Sequence, residues 1–278
     1  MFKDILVHIP TERPMRPVID GAVSLAAKFG AHLDAVSVGY LATSTAYVME
    51  GGAAVAAVFE MERERALERA ETALTVFETE AKNAGISYTS KPIGAIPADA
   101  ASSVGAMARL YDLSIVLQPE SGQTSFDNDM PREILFQSGG PVLFVPHIFR
   151  GAFKADRIGI CWDGSRTSAR ALRDATSFLK RAESVVIIAV NEADAVPGEA
   201  SVDNLVKHLA RLGVSTRTIS LSAGRSEIQP TILSLAADEN LDLLVMGGYG
   251  HSRLQESFLG GVTRAMLEAM TVPTLMSH

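Results

Sequence analysis

Between Val245 and Met266 the chain reads VMGGYGHSRLQESFLGGVTRAM. Glycines at 247, 248 and 250 precede His251, Ser252 and Arg253, and Gly260 and Gly261 follow them, just ahead of Val262 and Thr263. Glycine lets a backbone approach a ligand closely and tolerates positive φ. Unpaired N–H groups at the start of a helix, aligned with its dipole, attract anions. With a guanidinium and hydroxyls between the two glycine groups, the chemistry implied is a cradle for phosphate. A second candidate is Asp163, in the segment WDGSRTS. Its carboxylate suits a ribose hydroxyl or a magnesium ion, which prefers oxygen ligands and keeps several waters. The competing role for this segment is structural, the first turn of a helix capped by Ser165 or Thr167.

The elements that must position these residues follow from the apolar pattern. Leu241 to Met246 is a short run of branched residues, as in a strand buried on both faces. After Gly261, residues Val262, Ala265, Met266 and Ala269 recur at helical steps. The glycines therefore stand where a strand ends and where a helix begins. The same order of elements occurs twice in the 278 residues. DILVHIP at Asp4 matches RIGICWD at Arg157, each followed by a helix, over about Arg16–Phe29 and Ser168–Arg181, and by second strands at Leu33–Val38 and Val185–Val190. Ile93-Gly94 answers Ala223-Gly224. Helices follow near Pro97–Arg109 and Glu227–Glu239, then strands at Leu113–Leu117 and Leu241–Met246, and last strands at Val142–Val145 and Thr274–Met276. Strands alternating with helices of ten or more residues predict βαβ units and parallel sheets. The expectation is α/β, two tandem doubly wound, Rossmann-like five-stranded sheets in residues 1–150 and 151–278, with the boundary in the aperiodic stretch Pro146–Asp156. In such sheets ligands bind beyond the C-terminal strand ends at the switch point, which places Asp163 beside Gly247 and Gly250.

Gly247, two residues, Gly250, nine residues and Gly260, followed by a small residue, resembles the nucleotide-binding signature of the universal stress protein family. The family pattern is G-x2-G-x9-G followed by Ser or Thr. Gly261 departs from it, while Val262 and Thr263 match its usual continuation. The resemblance covers both halves in topology and is specific in the second. It implies ATP with Mg²⁺ in the second half, held by Asp163, Gly247, Gly250, Arg253, Gly260, Gly261, Val262 and Thr263, with backbone at Val190 touching adenine and Asp163 serving the metal. Gly261 in place of Ser or Thr removes one hydroxyl contact, a cost of about 0.5–1.5 kcal/mol. It also implies pairing of last strands, which a tandem chain satisfies internally as a pseudo-dimer, Val142–Val145 against Thr274–Met276.

The first half departs further. Pro10 stands where the second half has Asp163. Leu117, Gln118, Pro119 and Glu120 replace Gly247 to Gly250, and Asn128 and Asp129, then Pro131, replace the glycines before the last helix. Prolines remove donors, and Glu120 and Asp129 would repel a triphosphate. Gly139-Gly140 falls just before a strand and reads as a turn. The first half is expected to be nucleotide-silent. It also carries an apolar, small-residue segment, Tyr40 to Val58, which reads as a loop with a first helical turn, as a flap over a ligand, or as a contact between subunits. The following helix, Phe59–Asn83, has charges at i, i+3 and i+4 and faces solvent.

A net charge of −7 argues against a nucleic-acid-coating surface. No run of eighteen apolar residues suggests a membrane span, and the start lacks the features of a signal peptide, so a cytoplasmic location is the expectation. The lone Cys161 lies in an apolar run and reads as inert, and six scattered histidines offer no zinc spacing. There is no P-loop, nucleophile elbow or dinucleotide fingerprint. The leading expectation is a nucleotide-binding regulatory protein of the stress-response type, acting on an unidentified partner protein. Two alternatives remain: a slow Mg²⁺-dependent ATPase at the same site, and a scaffold that recruits a partner or a hydrophobic ligand through Tyr40 to Val58. Further association of two chains would give a homodimer.

Overall fold

A computed structural model describes residues 1–41, 53–120, 122, 124–191, 196–249 and 261–278. The first half supplies five strands, β1 (Asp4–Ile9), β2 (His32–Tyr40), β3 (Tyr88–Ala95), β4 (Leu113–Leu117) and β5 (Val142–Val145). The second supplies β6 (Arg157–Cys161), β7 (Ser184–Val190), β8 (Thr216–Leu221), β9 (Leu243–Gly247) and β10 (Thr274–Ser277). Helices α1 (Arg16–Phe29), α2 (Ala53–Ala84), α3 (Pro97–Met107) and α4 (Met130–Gln137) lie between the strands of the first half. In the second half α5 (Arg166–Asp174), α6 (Thr176–Leu179), α7 (Val202–Arg211), α8 (Ile228–Asp238) and α9 (Val262–Ala269) do the same.

The two sets of five strands join into one ten-stranded sheet, in the order β3-β2-β1-β4-β5-β10-β9-β6-β7-β8. Every pairing is parallel except the seam, where Thr274 faces Phe144, Leu275 faces Leu143 and Met276 faces Val142 in antiparallel register. The expected pairing of last strands is thus present, and it turns two sheets into one.

The central strands read as continuous apolar runs because helices cover both faces. Along β1, Ile5, Val7 and Ile9 enter one core and Leu6 the other. In β5, Leu143 and Val145 alternate in the same way with Val142 and Phe144, and in β9 Leu243 and Val245 alternate with Leu244 and Met246. One face is packed by α1, α2, α5, α6 and α7, the other by α3, α4, α8 and α9. Each core contains residues of both halves. Phe2 and Phe29 meet Phe178 of α6 at ring distances of 4.9 and 5.3 Å, so the halves share an aromatic cluster. The outermost strands differ from the rest: β3 (YTSKPIGA) and β8 (TRTISL) are polar and partly exposed, and Pro92 is tolerated because β3 is an edge.

α1 begins with Pro17 in its first turn and ends at Gly30, whose φ of 61° allows the left-handed cap, as its sequence suggests. α2 starts at Ala53, before the expected Phe59, because Ala53, Ala54, Ala56 and Ala57 are strong helix formers. Part of the Tyr40 to Val58 segment is therefore helix, and residues 42–52 lie outside the described residues. The helix expected over Ser168–Arg181 is α5 and α6, separated at Ala175.

Candidate functional site

The switch point of the second half lies between β6 and β9, which pair through Ile160 and Val245. Beyond β6 the chain passes Trp162, whose indole N–H donates to the Ala200 carbonyl at 2.8 Å. It then reaches Asp163, exposed at the strand end. Asp163 Oδ1 accepts from the Ser165 N–H at 2.9 Å, closing an Asx turn in which Gly164 has φ 68°. Ser165 in turn caps α5, its hydroxyl accepting from the Ser168 N–H at 3.1 Å. The cap is therefore Ser165, and Asp163 orders the turn before it, its other carboxylate oxygen having no hydrogen-bond partner among the described residues. Neighbouring Cys161, with no disulfide partner, has its thiol pushed up to about 12 by burial and by the charge of Asp163.

Gly247 closes the other side. A Cβ there would stand 2.5 Å from Thr167 Oγ1, 2.6 Å from the Ser168 nitrogen and 2.8 Å from the Thr167 carbonyl carbon. The end of β9 thus rests directly on the first turn of α5, which brings Gly247 next to the Asp163 turn. Gly248 donates to the Ser277 carbonyl at 2.9 Å. Tyr249 has φ 51°, and its N–H donates to the buried Thr263 hydroxyl at 3.2 Å. That bond ties the segment leaving β9 to the first turn of α9. Gly261 is the residue before this helix, at φ −61° and ψ 145°, and no side chain caps the helix start. Among the described residues, no side chain takes the N–H groups of its first turn, at Val262 and Thr263, the kind of donors that attract anions. Gly250, Arg253 and Gly260 lie outside the described residues.

Val190 ends β7, opposite Leu221 of β8. Asn191 follows at φ 57°; its amide side chain donates to the Ala223 carbonyl at 2.8 Å and accepts from the Ala223 N–H at 3.0 Å. Asn191 fixes the backbone next to Val190, a role that sequence reasoning missed because its partner is main chain. No group of three or more His, Cys, Asp or Glu side chains suited to a metal occurs among the described residues. A magnesium ion here would take Asp163, water and the oxygens of its own nucleotide, a donor set that fits its chemistry. None of the described helices is long and apolar enough to cross a membrane.

Residues 154–278 match the sequence model of the Universal stress protein family. The second half is a universal stress protein domain. The fold of the whole chain agrees with this. A universal stress protein from Archaeoglobus fulgidus DSM 4304 superposes with a TM-score of 0.71 at 17% identity, covering 97% of this chain and 94% of that one. A functionally unknown protein from Pseudomonas aeruginosa PAO1 gives 0.62 at 14% identity, over 99% and 92%. The cytoplasmic domain of a prokaryotic cation chloride cotransporter gives 0.52 at 11%, over 99% and 95%. No curated protein matches the sequence. At these identities the superpositions establish the fold, which the universal stress protein domain and the half before it share.

That shared fold allows the halves to be aligned by strand register. Val7 faces Ile115 as Ile160 faces Val245, and Ser114 faces Val142 as Leu244 faces Thr274. Pro10 then answers Asp163, Leu117 answers Gly247, Gln118 answers Gly248, and Asp129 answers Gly261, the last two standing equally far before Val142 and Thr274. The first half has a side chain at its switch point that the sequence does not announce. Asp127 is buried, and its Oδ2 accepts from the backbone N–H groups of Thr11 and Glu12 at 3.0 and 2.8 Å, beyond the end of β1. Its Oδ1 accepts from the Tyr40 hydroxyl at 2.9 Å and lies 3.8 Å from His8 Nε2. Burial, with the Asp127 charge and hydrogen bond, raises the Tyr40 phenol. Burial lowers the imidazole of His8, opposed by Asp127 and assisted by Arg13. Arg13 donates to the Gln118 carbonyl at 2.7 Å and faces Glu120 at 3.5 Å.

Proposed function

We propose that the second half binds ATP, with Mg²⁺, and that the protein acts as a cytoplasmic stress-response regulator whose partner contacts depend on that nucleotide. The observation that supports this most is the convergence of Asp163, the end of β9 at Gly247 and the start of α9 at Gly261 at one switch point. Phosphates would meet the N–H groups at Val262 and Thr263, with Gly250, Arg253, Gly260 and Gly261 completing the cradle. Adenine would lie against the backbone at Val190, which Asn191 holds. Magnesium, when bound, neutralises phosphate charge, and Asp163 supplies its protein oxygen. In this reading residues 151–278 are the nucleotide domain and residues 1–150 its silent counterpart.

Mass spectrometry of small molecules released from gently purified protein, with MgATP calorimetry, tests the proposal. About one nucleotide per chain is expected. Asp163→Ala should lose about tenfold in affinity, the worth of one charge-assisted contact of about 1.5 kcal/mol. A protein that is empty and gives no heat at millimolar MgATP overturns it.

A further inference from the structure

We infer that the first half carries its own permanent anionic ligand: the carboxylate of Asp127 occupies the place where a doubly wound sheet receives an external anion. The order β3-β2-β1-β4-β5 puts the switch point of this half between β1 and β4, and ligands of such sheets bind beyond those strand ends. Asp127 sits there. It takes two consecutive backbone donors, Thr11 and Glu12, on one oxygen and the Tyr40 hydroxyl on the other. Adjacent N–H groups converging on one oxygen form the kind of concavity that binds free anions. Around it stand two further cationic or donor groups, His8 and Arg13, both buried. His8 Nε2, Arg13 Nε and Arg13 Nη2 make no hydrogen bond among the described residues, although each is buried. Arg13 is also met by the Gln118 carbonyl and the Glu120 carboxylate; the Thr11 and Glu12 N–H groups and the Tyr40 hydroxyl are met by the chain's own Asp127.

Asp127 is held in place from both sides. Ser125 caps the short turn that carries it, accepting from the Asp127 N–H at 3.1 Å. The Ser125 hydroxyl and the Phe126 N–H donate to Glu12 at 2.8 and 2.9 Å. Glu120 and Asn128 exchange two more bonds at 2.9 and 3.1 Å. The segment before α4 is thereby laced to the ends of β1 and β4, as a bound ligand would lace them. The residue that answers Asp127 in the second half, 15 positions before Thr274 as Asp127 is before Val142, is Leu259, which has no acceptor. The first half is thus closed at this position by a carboxylate that the second half does not have there.

Chemical rescue tests this on the full chain. Asp127→Ala should melt at least about 10 °C below wild type, from the loss of three bonds to a charged acceptor. Sodium formate, which restores a carboxylate, should recover at least half of that loss, while sodium chloride at equal ionic strength recovers none. Wild type should show no formate-specific shift. Amide resonances of Thr11 and Glu12 should move in the variant and return with formate. Should the alanine variant fail to fold in plain buffer, formate in the refolding buffer should increase the folded yield. Equal effects of formate and chloride on the variant, or a variant that melts with wild type, overturn the inference. Neither readout involves ATP, so failure here is separate from failure of the second-half site.

Discussion

Gly247→Ala separates two explanations of one glycine. If Gly247 serves only the approach of a phosphate, a methyl group there lowers affinity and leaves the fold untouched. The structure says that it also serves packing. The new Cβ meets Thr167 Oγ1 at 2.5 Å, the Ser168 nitrogen at 2.6 Å and the Thr167 carbonyl carbon at 2.8 Å. Two of these three atoms are backbone, so no change of rotamer relieves them. Either β9 or the first turn of α5 must retreat by more than half an ångström, and both belong to the core of the sheet. Overpacking of this kind costs about 2–3 kcal/mol, which lowers the melting temperature of a chain this size by about 4–10 °C. Gly198→Ala is the control, because nothing lies within 4 Å of its Cβ position and its φ is not positive. It should change stability by less than about 0.5 kcal/mol. Urea unfolding of the three proteins, followed by circular dichroism, reads the difference directly. A Gly247→Ala protein that unfolds at the wild-type midpoint would refute the packing argument.

Gly261→Ser restores the hydroxyl that the resemblance expects, at a φ and ψ any residue adopts. MgATP affinity should rise up to about tenfold by calorimetry, with stability changed by only a few tenths of a kcal/mol. A second prediction concerns pH. His8 has a folded-state value below its ordinary 6.5, so above 6.5 both states are neutral and it contributes nothing. Below 6.5 the unfolded chain takes up a proton that the folded chain refuses. Stability is then lost as pH falls, at up to about 1.4 kcal/mol per unit, until the folded value is reached. Urea midpoints measured at about pH 7.5 and about pH 5.5 should differ less in His8→Gln than in wild type; an unchanged difference contradicts the assignment.

Much of the fold was legible because the sheet is buried on both faces. Runs such as Leu113–Leu117 and Val142–Val145 have only one reading when bounded by polar turns, and they are β4 and β5 to the residue. Gly30 marked the end of α1 for the same reason, since a left-handed cap favours glycine. What stayed hidden involves main chain. Thr11 and Glu12 receive Asp127 through their backbones, more than a hundred residues away, and no side-chain pattern records that. Gly247 looked like a phosphate glycine from its spacing; its contact with α5 comes from the crossing of two elements, which spacing alone does not contain. The Tyr249–Thr263 tie is likewise a backbone donor meeting a hydroxyl.

The seam between β5 and β10 has lost its mirror. Gln118 reaches across it, its amide donating to the Leu267 carbonyl of α9 at 2.9 Å. The answering residue, Gly248, has no side chain to send back, and Leu135 of α4 fills the space instead, 3.1 Å from where a Cβ would be. Two identical subunits related by a dyad must place the same residue on both sides of their axis. A chain that joins both sides covalently is free of that constraint: each side can drift into a complement of the other. Here Gln118 on one side and Leu135 on the other fill the two corresponding places differently, so neither half could take the other's place at this seam without repacking it.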